Sequence, residues 1–229
     1  MFSSIPLLLI LASIPSSLCH SEYLPHFLRA TASSRHSPKD RFHTNIPFES
    51  KYIVDLHAIT NGGTNAEAYF SFDNSKFTFQ AQLDPYNVTH PCDLIYNMNV
   101  DGSNVQLASP AKGRDTCSYF TKDGKFLIYS STYDPVKETD ASCPPVIDPS
   151  FGYTWPLQKS MSVYRMPLGG EMPGKPEPFP GVWNDQGYSA ESVLAPNGEW
   201  FVFTSDISGD LELYQMATNG TGHPRRLTN

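Results

Sequence analysis

Three stretches of this chain align on one another without a gap, and that repetition restricts the fold more than any other feature. They run Glu67 to Phe79 (EAYFSFDNSKFTF), Cys117 to Tyr129 (CSYFTKDGKFLIY) and Glu191 to Phe203 (ESVLAPNGEWFVF). Each is a short apolar run, a turn pair and a second apolar run. The turn pairs are Asp73-Asn74, Asp123-Gly124 and Asn197-Gly198. Such pairs favour tight hairpins, because both central residues of a type I′ turn need positive φ. A second half-motif follows every copy: Tyr96-x-Met98, Tyr164-x-Met166 and Tyr214-x-Met216, each in an apolar frame. A glycine or Asx turn and a short closing strand come next, such as Val105 to Leu107 or Arg225 to Leu227. Each unit therefore reads as four antiparallel strands, a to d.

Four-stranded units in tandem are the signature of propeller blades. The expected fold is all-β, with about three blades at residues 61–109, 111–181 and 183–229, inside a propeller region of 51–229. Ser71, Thr121 and Ala195 occupy one place in the repeat and lie 50 and 74 residues apart. The excess points to a proline-rich b–c insertion at about 132–160 in the second unit. Alternating aromatics (Tyr69, Phe79, Tyr96, Tyr119, Tyr129, Tyr164, Phe201, Phe203 and Tyr214) are expected to pack between blades. Trp155 and Trp183 lie outside the regular strands and could anchor a partner.

Ala195-Pro-Asn-Gly-Glu199, Asp101-Gly-Ser-Asn104 and Arg225-Arg-Leu-Thr-Asn229 resemble the repeat of the TolB-type six-bladed propellers. That repeat carries Ser-Pro-Asp-Gly-Lys between two strands, then an Asp-Gly-Ser/Thr turn and Arg-Arg-Leu-Thr. Phe72, Lys122 and Asn197 each depart from the turn motif. The resemblance spans roughly 51–229 and implies half of a six-bladed ring, in a partial chain. Tyr52 to Thr60 reads as a d strand with no blade before it, hence an unpaired edge. Either further C-terminal blades or a homodimer would close the ring.

The N-terminus reads as a secretory signal at residues 1–19. An apolar run from Ile5 to Ala12 leads to small residues at Ser17 and Cys19, placing a cut before His20. A mobile leader is expected over 20–50. No later segment is long and apolar enough for a stable membrane anchor. A secreted or extracytoplasmic protein would keep Cys92, Cys117 and Cys143, enough for one disulfide, either Cys117–Cys143 or Cys92–Cys117. Sequons at Asn87 and Asn219 suit the same compartment, with Asn87 the better acceptor.

A net charge of −7 argues against nucleic acid, which needs a surplus of Lys and Arg on one face. No Cys-x-x-Cys and no paired histidines mark a metal site, and no cofactor motif is present. Asp206 to Asp210 reads as a capped turn and not a calcium loop. The closest approach to a Gly-x-Ser-x-Gly elbow is Gly187-Tyr188-Ser189-Ala190-Glu191, without its second glycine, so no catalysis is expected. Glu67 and Glu191 stand at equivalent places just before strand a, the innermost strand, and are expected at the mouth of the central channel as ligand-binding residues. The chain thus reads as a secreted binding or scaffold propeller for a protein, peptide or glycan. The alternative is the propeller part of a larger secreted enzyme, peptidase-like or glycan-processing, whose catalytic domain lies elsewhere.

Overall fold

A computed structural model describes residues 10–13, 54–60, 63–82, 90–134, 157–169, 173–182 and 187–229, with 10–13 and 54–57 as backbone only. Every regular element among them is a strand. β1 (Ile10–Ser13) and β2 (Val54–Ala58) pair with each other. Three four-stranded antiparallel meanders follow. The first is β3 (Thr64–Phe70), β4 (Lys76–Gln82), β5 (Leu94–Asn99) and β6 (Gln106–Leu107). The second is β7 (Asp115–Phe120), β8 (Phe126–Ser131), β9 (Ser162–Pro167) and β10 (Glu177–Pro178). The third is β11 (Ser189–Leu194), β12 (Trp200–Ser205), β13 (Glu212–Ala217) and β14 (Arg225–Arg226). These are propeller blades: β7 touches β3 on one side and β11 on the other, so the first strands of all three sheets face a common axis.

Strand alternation decides what each blade buries. On one face lie Phe77 and Phe79, Leu127 and Tyr129, or Phe201 and Phe203, all buried. The Tyr and Met of each Tyr-x-Met pair share that face, which explains their spacing of two: Tyr164 and Met166 are fully buried. Ile95 and Ala108 of the first blade pack on this face of the second, and Ile128, Val163 and Phe179 of the second on that of the third. Ile59 covers the corresponding face of the first blade. The opposite face of the third blade is open, with Val193, Trp200 and Leu213 exposed.

Two expectations need correction. The a–b turns are not type I′. Asn74, Gly124 and Gly198 have positive φ, but Asp73, Asp123 and Asn197 do not. A turn bond joins Asn74 N to Ser71 O, and Ser71 N closes the loop on Lys76 O. The first turn residue is held instead by its side chain, since Asp73 Oδ1 accepts from Ser71 Oγ at 2.6 Å and from Ser75 N at 3.1 Å. Asp123 does the same between Thr121 and Lys125. The strand around Val54–Ala58 is not an unpaired edge in the uncut chain, where Ile10–Ser13 pairs with it antiparallel; a cut before His20 would release that partner and expose the edge. Tyr69 and Tyr119 pack between blades as expected, the ring of one from the first blade stacked 4.1 Å from that of the other in the second. The leader, most of the b–c insertion, Asn87, Trp155 and Trp183 lie outside the described residues.

Candidate functional site at the channel

Each innermost strand carries a β-bulge at the same place. Ala66 pairs with Gln80 and Tyr69 with Thr78, so Glu67 and Ala68 together oppose Phe79. The register slips identically between Thr116 and Tyr119 and between Ala190 and Val193. The first bulged residue is left-handed every time, at φ 51° for Glu67, 49° for Cys117 and 58° for Glu191. None is glycine, although this conformation costs an ordinary residue about 1–2 kcal/mol. A bulge of this kind re-aims one side chain, here towards the axis.

The three side chains meet. Cys117 Sγ donates to Glu191 Oε2 at 3.0 Å and lies 3.9 Å from Glu67 Oε2. Tyr69 Oη donates to Glu67 Oε2, and Thr116 Oγ1 lies 3.2 Å from Cys117 Sγ. Both carboxylates are exposed while the thiol between them is buried. Burial pushes the Cys117 thiol well above the usual range, and the adjoining Glu191 and Glu67 carboxylates push it further, against the pull of Thr116. Burial, then the bond to Glu67, raises the Tyr69 phenol in the same way. Both groups stay protonated and act as donors, so the cluster holds a negative potential and no thiolate nucleophile. Neither carboxylate has a cation partner among the described residues, and none of their His, Cys, Asp and Glu groups is arranged to hold a metal ion.

Glu67 and Glu191 thus come together, inside strand a at the bulge and not ahead of it. Cys117 is the member that sequence reasoning set aside as a disulfide candidate. Its thiol is free, which removes both expected pairings, Cys117–Cys143 and Cys92–Cys117. The left-handed bulge aims Sγ at the two carboxylates. Cys92 is buried and disulfide-bonded, its partner lying outside the described residues. Asn219 is exposed, and its Oδ1 accepts from Thr221 N and Oγ1 of its own sequon. Asp206 Oδ1 accepts from Tyr188 N at 2.8 Å, tying its turn to the residue just before β11.

No family model matches the sequence, and no curated protein does. Solved structures do match in fold. TolB from Acinetobacter baumannii superposes with a TM-score of 0.52 at 21% identity, over 76% of this chain and 35% of that one. A putative TolB from Agrobacterium tumefaciens gives 0.49 at 16% identity, over 77% and 53%. A puromycin-hydrolyzing peptidase from Mycobacterium tuberculosis gives 0.48 at 14%, over 76% and 26%. The chain therefore spans about a third of the first structure and half of the second.

Proposed function

From the premise that this chain has the fold of a TolB-type β-propeller, we propose that it is a secreted, non-enzymatic binding module whose channel receives a cationic group of a protein or peptide partner. The observation that carries this reading is the convergence of Glu67, Cys117 and Glu191 on three left-handed bulges. Two exposed carboxylates held by fixed donors favour an ammonium or guanidinium group, which brings its own hydrogens. The protonated thiol argues against nucleophilic chemistry at the same place.

Titration of the purified chain with tetralysine and with tetraglutamate tests it. Tetralysine should bind, lose affinity with added salt, and bind at least tenfold more weakly, or about 1.4 kcal/mol, to E67Q/E191Q. Equal affinity for the variant, or preference for tetraglutamate, would overturn the reading.

Secretion makes two further demands. The mature chain should begin near His20, a cut that removes Cys19 and leaves Cys143 as the partner of Cys92. N-terminal sequencing and non-reducing peptide mapping test both, and a retained Met1 on secreted material would refute them. The open face of the third blade is the one that a following sheet covers at both inner junctions. We infer that another sheet covers it too, from a longer chain or a second copy. Residues 20–229 alone should then dimerise or aggregate, and a compact monomer by light scattering would count against the proposal.

A further inference from the structure

Two residues before each bulge, the innermost strands carry side chains of three different kinds. They are Asn65, Asp115 and Ser189, all buried. Each pairs with the end of strand b: Asn65 with Ala81, Asp115 with Ser131 and Ser189 with Ser205. In the third blade the pair is neutral, two hydroxyls 2.8 Å apart. Of these three positions, only the middle one holds an ionisable group.

Asp115 ties two blades together. Ser109, which follows strand d of the first blade, donates from Oγ to Asp115 Oδ2 and accepts from Ile95 N at 3.0 Å. Ser131 of β8 bonds the same carboxyl and accepts from Tyr133 N at 2.9 Å. The Asp115 backbone adds a third tie, its N donating to Asp93 O at 2.9 Å. The next two residues reach further. Thr116 Oγ1 donates to Gln80 Oε1 on β4, and Cys117 stands between the channel carboxylates. One short stretch of β7 therefore carries both the seam and the site.

The surroundings of Asp115 oppose its ionisation. Burial raises its carboxyl to about 7, the Ser109 and Ser131 hydroxyls pull it down, and the Asp93 charge adds an upward push. Asp93, just before β5, is itself raised by burial against the pull of the Arg114 guanidinium. Burial, then the Asp115 charge, raises the Tyr129 phenol on β8, with Tyr164 and Tyr133 adding to it.

We propose that Asp115 is a proton-operated latch on the channel. Protonated, it holds the start of β7 against β8 and the first blade and keeps Cys117 between Glu67 and Glu191. Ionised, it lets that start withdraw, and the three side chains part. The direction follows from which form tolerates burial: a neutral carboxyl stays inside, and a charged one gains by reaching water. The closed seam thus weakens as pH rises from about 4 towards 7 and holds level above that. Acidic surroundings load the channel and neutral ones unload it. The use of the latch rests on the channel reading above; its motion does not.

Amide hydrogen exchange on the purified chain, corrected for the intrinsic effect of pH, reads the motion. Protection at 115–117 should fall about tenfold between pH 5.5 and 7.5, while protection at 189–191, behind the neutral serine pair, stays level. In Asp115→Asn, the neutral isostere, the fall at 115–117 should vanish. Titration with acetyl-tetralysine amide, whose charge is constant over that range, reads the gate. Affinity should drop about threefold in the parent and stay level in the variant. Protection at 115–117 that holds level in the parent, or falls equally at 189–191, overturns the latch. Affinity that ignores pH while protection responds overturns its hold on the channel. Absence of binding at both pH values removes the channel reading instead, and the exchange data still decide the latch.

Discussion

At the junction of the first and second blades, Thr78 Oγ1 meets Ser118 Oγ at 2.6 Å, and Thr116 Oγ1 donates to Gln80 Oε1 at 2.7 Å, all four residues buried. At the next junction the equivalent places hold Ile128 against Ser192 and Ser130 against Ala190. One member of each pair has become apolar, and both remaining hydroxyls, Ser130 Oγ and Ser192 Oγ, are buried without partners. The second junction relies instead on ring packing, with Phe179 edge-on to Phe201 at 4.8 Å among Ile128, Val163, Phe203, Tyr214 and Met216. One backbone repeat therefore supports two kinds of glue, and the sequence of the inward positions chooses between them.

Phe201→Ala should produce the largest effect, because it empties the centre of the apolar junction: a loss of about 3–5 kcal/mol in urea unfolding. A loss below about 1 kcal/mol would mean that ring packing does not hold these blades together.

The next effect belongs to the polar junction and depends on pH. Burial pushes the Asp115 carboxyl up to about 7 from its ordinary 3.8, although the Ser109 and Ser131 hydroxyls pull it down. The folded chain thus binds this proton more tightly than the unfolded one, and stability is lost as pH rises through the window between those values. The full span amounts to about 2–4 kcal/mol. The melting temperature of the parent should fall between pH 5 and pH 8, and Asp115→Asn should flatten that fall. An unchanged slope in the variant would assign the pH dependence elsewhere.

Thr78→Val should cost about 1–3 kcal/mol by orphaning Ser118, whereas T78V/S118A should recover most of that loss. Additive losses in this cycle would show that the two hydroxyls are not coupled. Ser192→Ala, which deletes a hydroxyl that already lacks a partner, should raise stability slightly, by at most about 1 kcal/mol. A clear loss on removing it would reveal a bond at the apolar junction.

The strand order was legible because turn chemistry and the Tyr-x-Met frame are local signals that recur in the same sequence. The turn type was not, since Asp-Gly satisfies both a type I′ turn and a type I turn followed by one left-handed residue. Here side-chain bonds from Ser71 and Thr121 select the second. Two of the three channel side chains were visible, Glu67 and Glu191. The ungapped repeat also places Cys117 in the same column, but its chemistry suggested a disulfide. Tyr69 and Tyr119 were legible as rings between blades, but the bulge just before each was not, because alternation does not register the one-place shift it makes in every later side chain.

The left-handed residues in the innermost strands carry an evolutionary implication. Glycine at 67, 117 or 191 would relieve the backbone and delete a side chain from the axis in the same step. A lineage selected only for robustness would drift towards glycine there, and a library sorted on thermal tolerance should enrich it. Each side chain kept at a bulge thus trades backbone ease for a group at the axis.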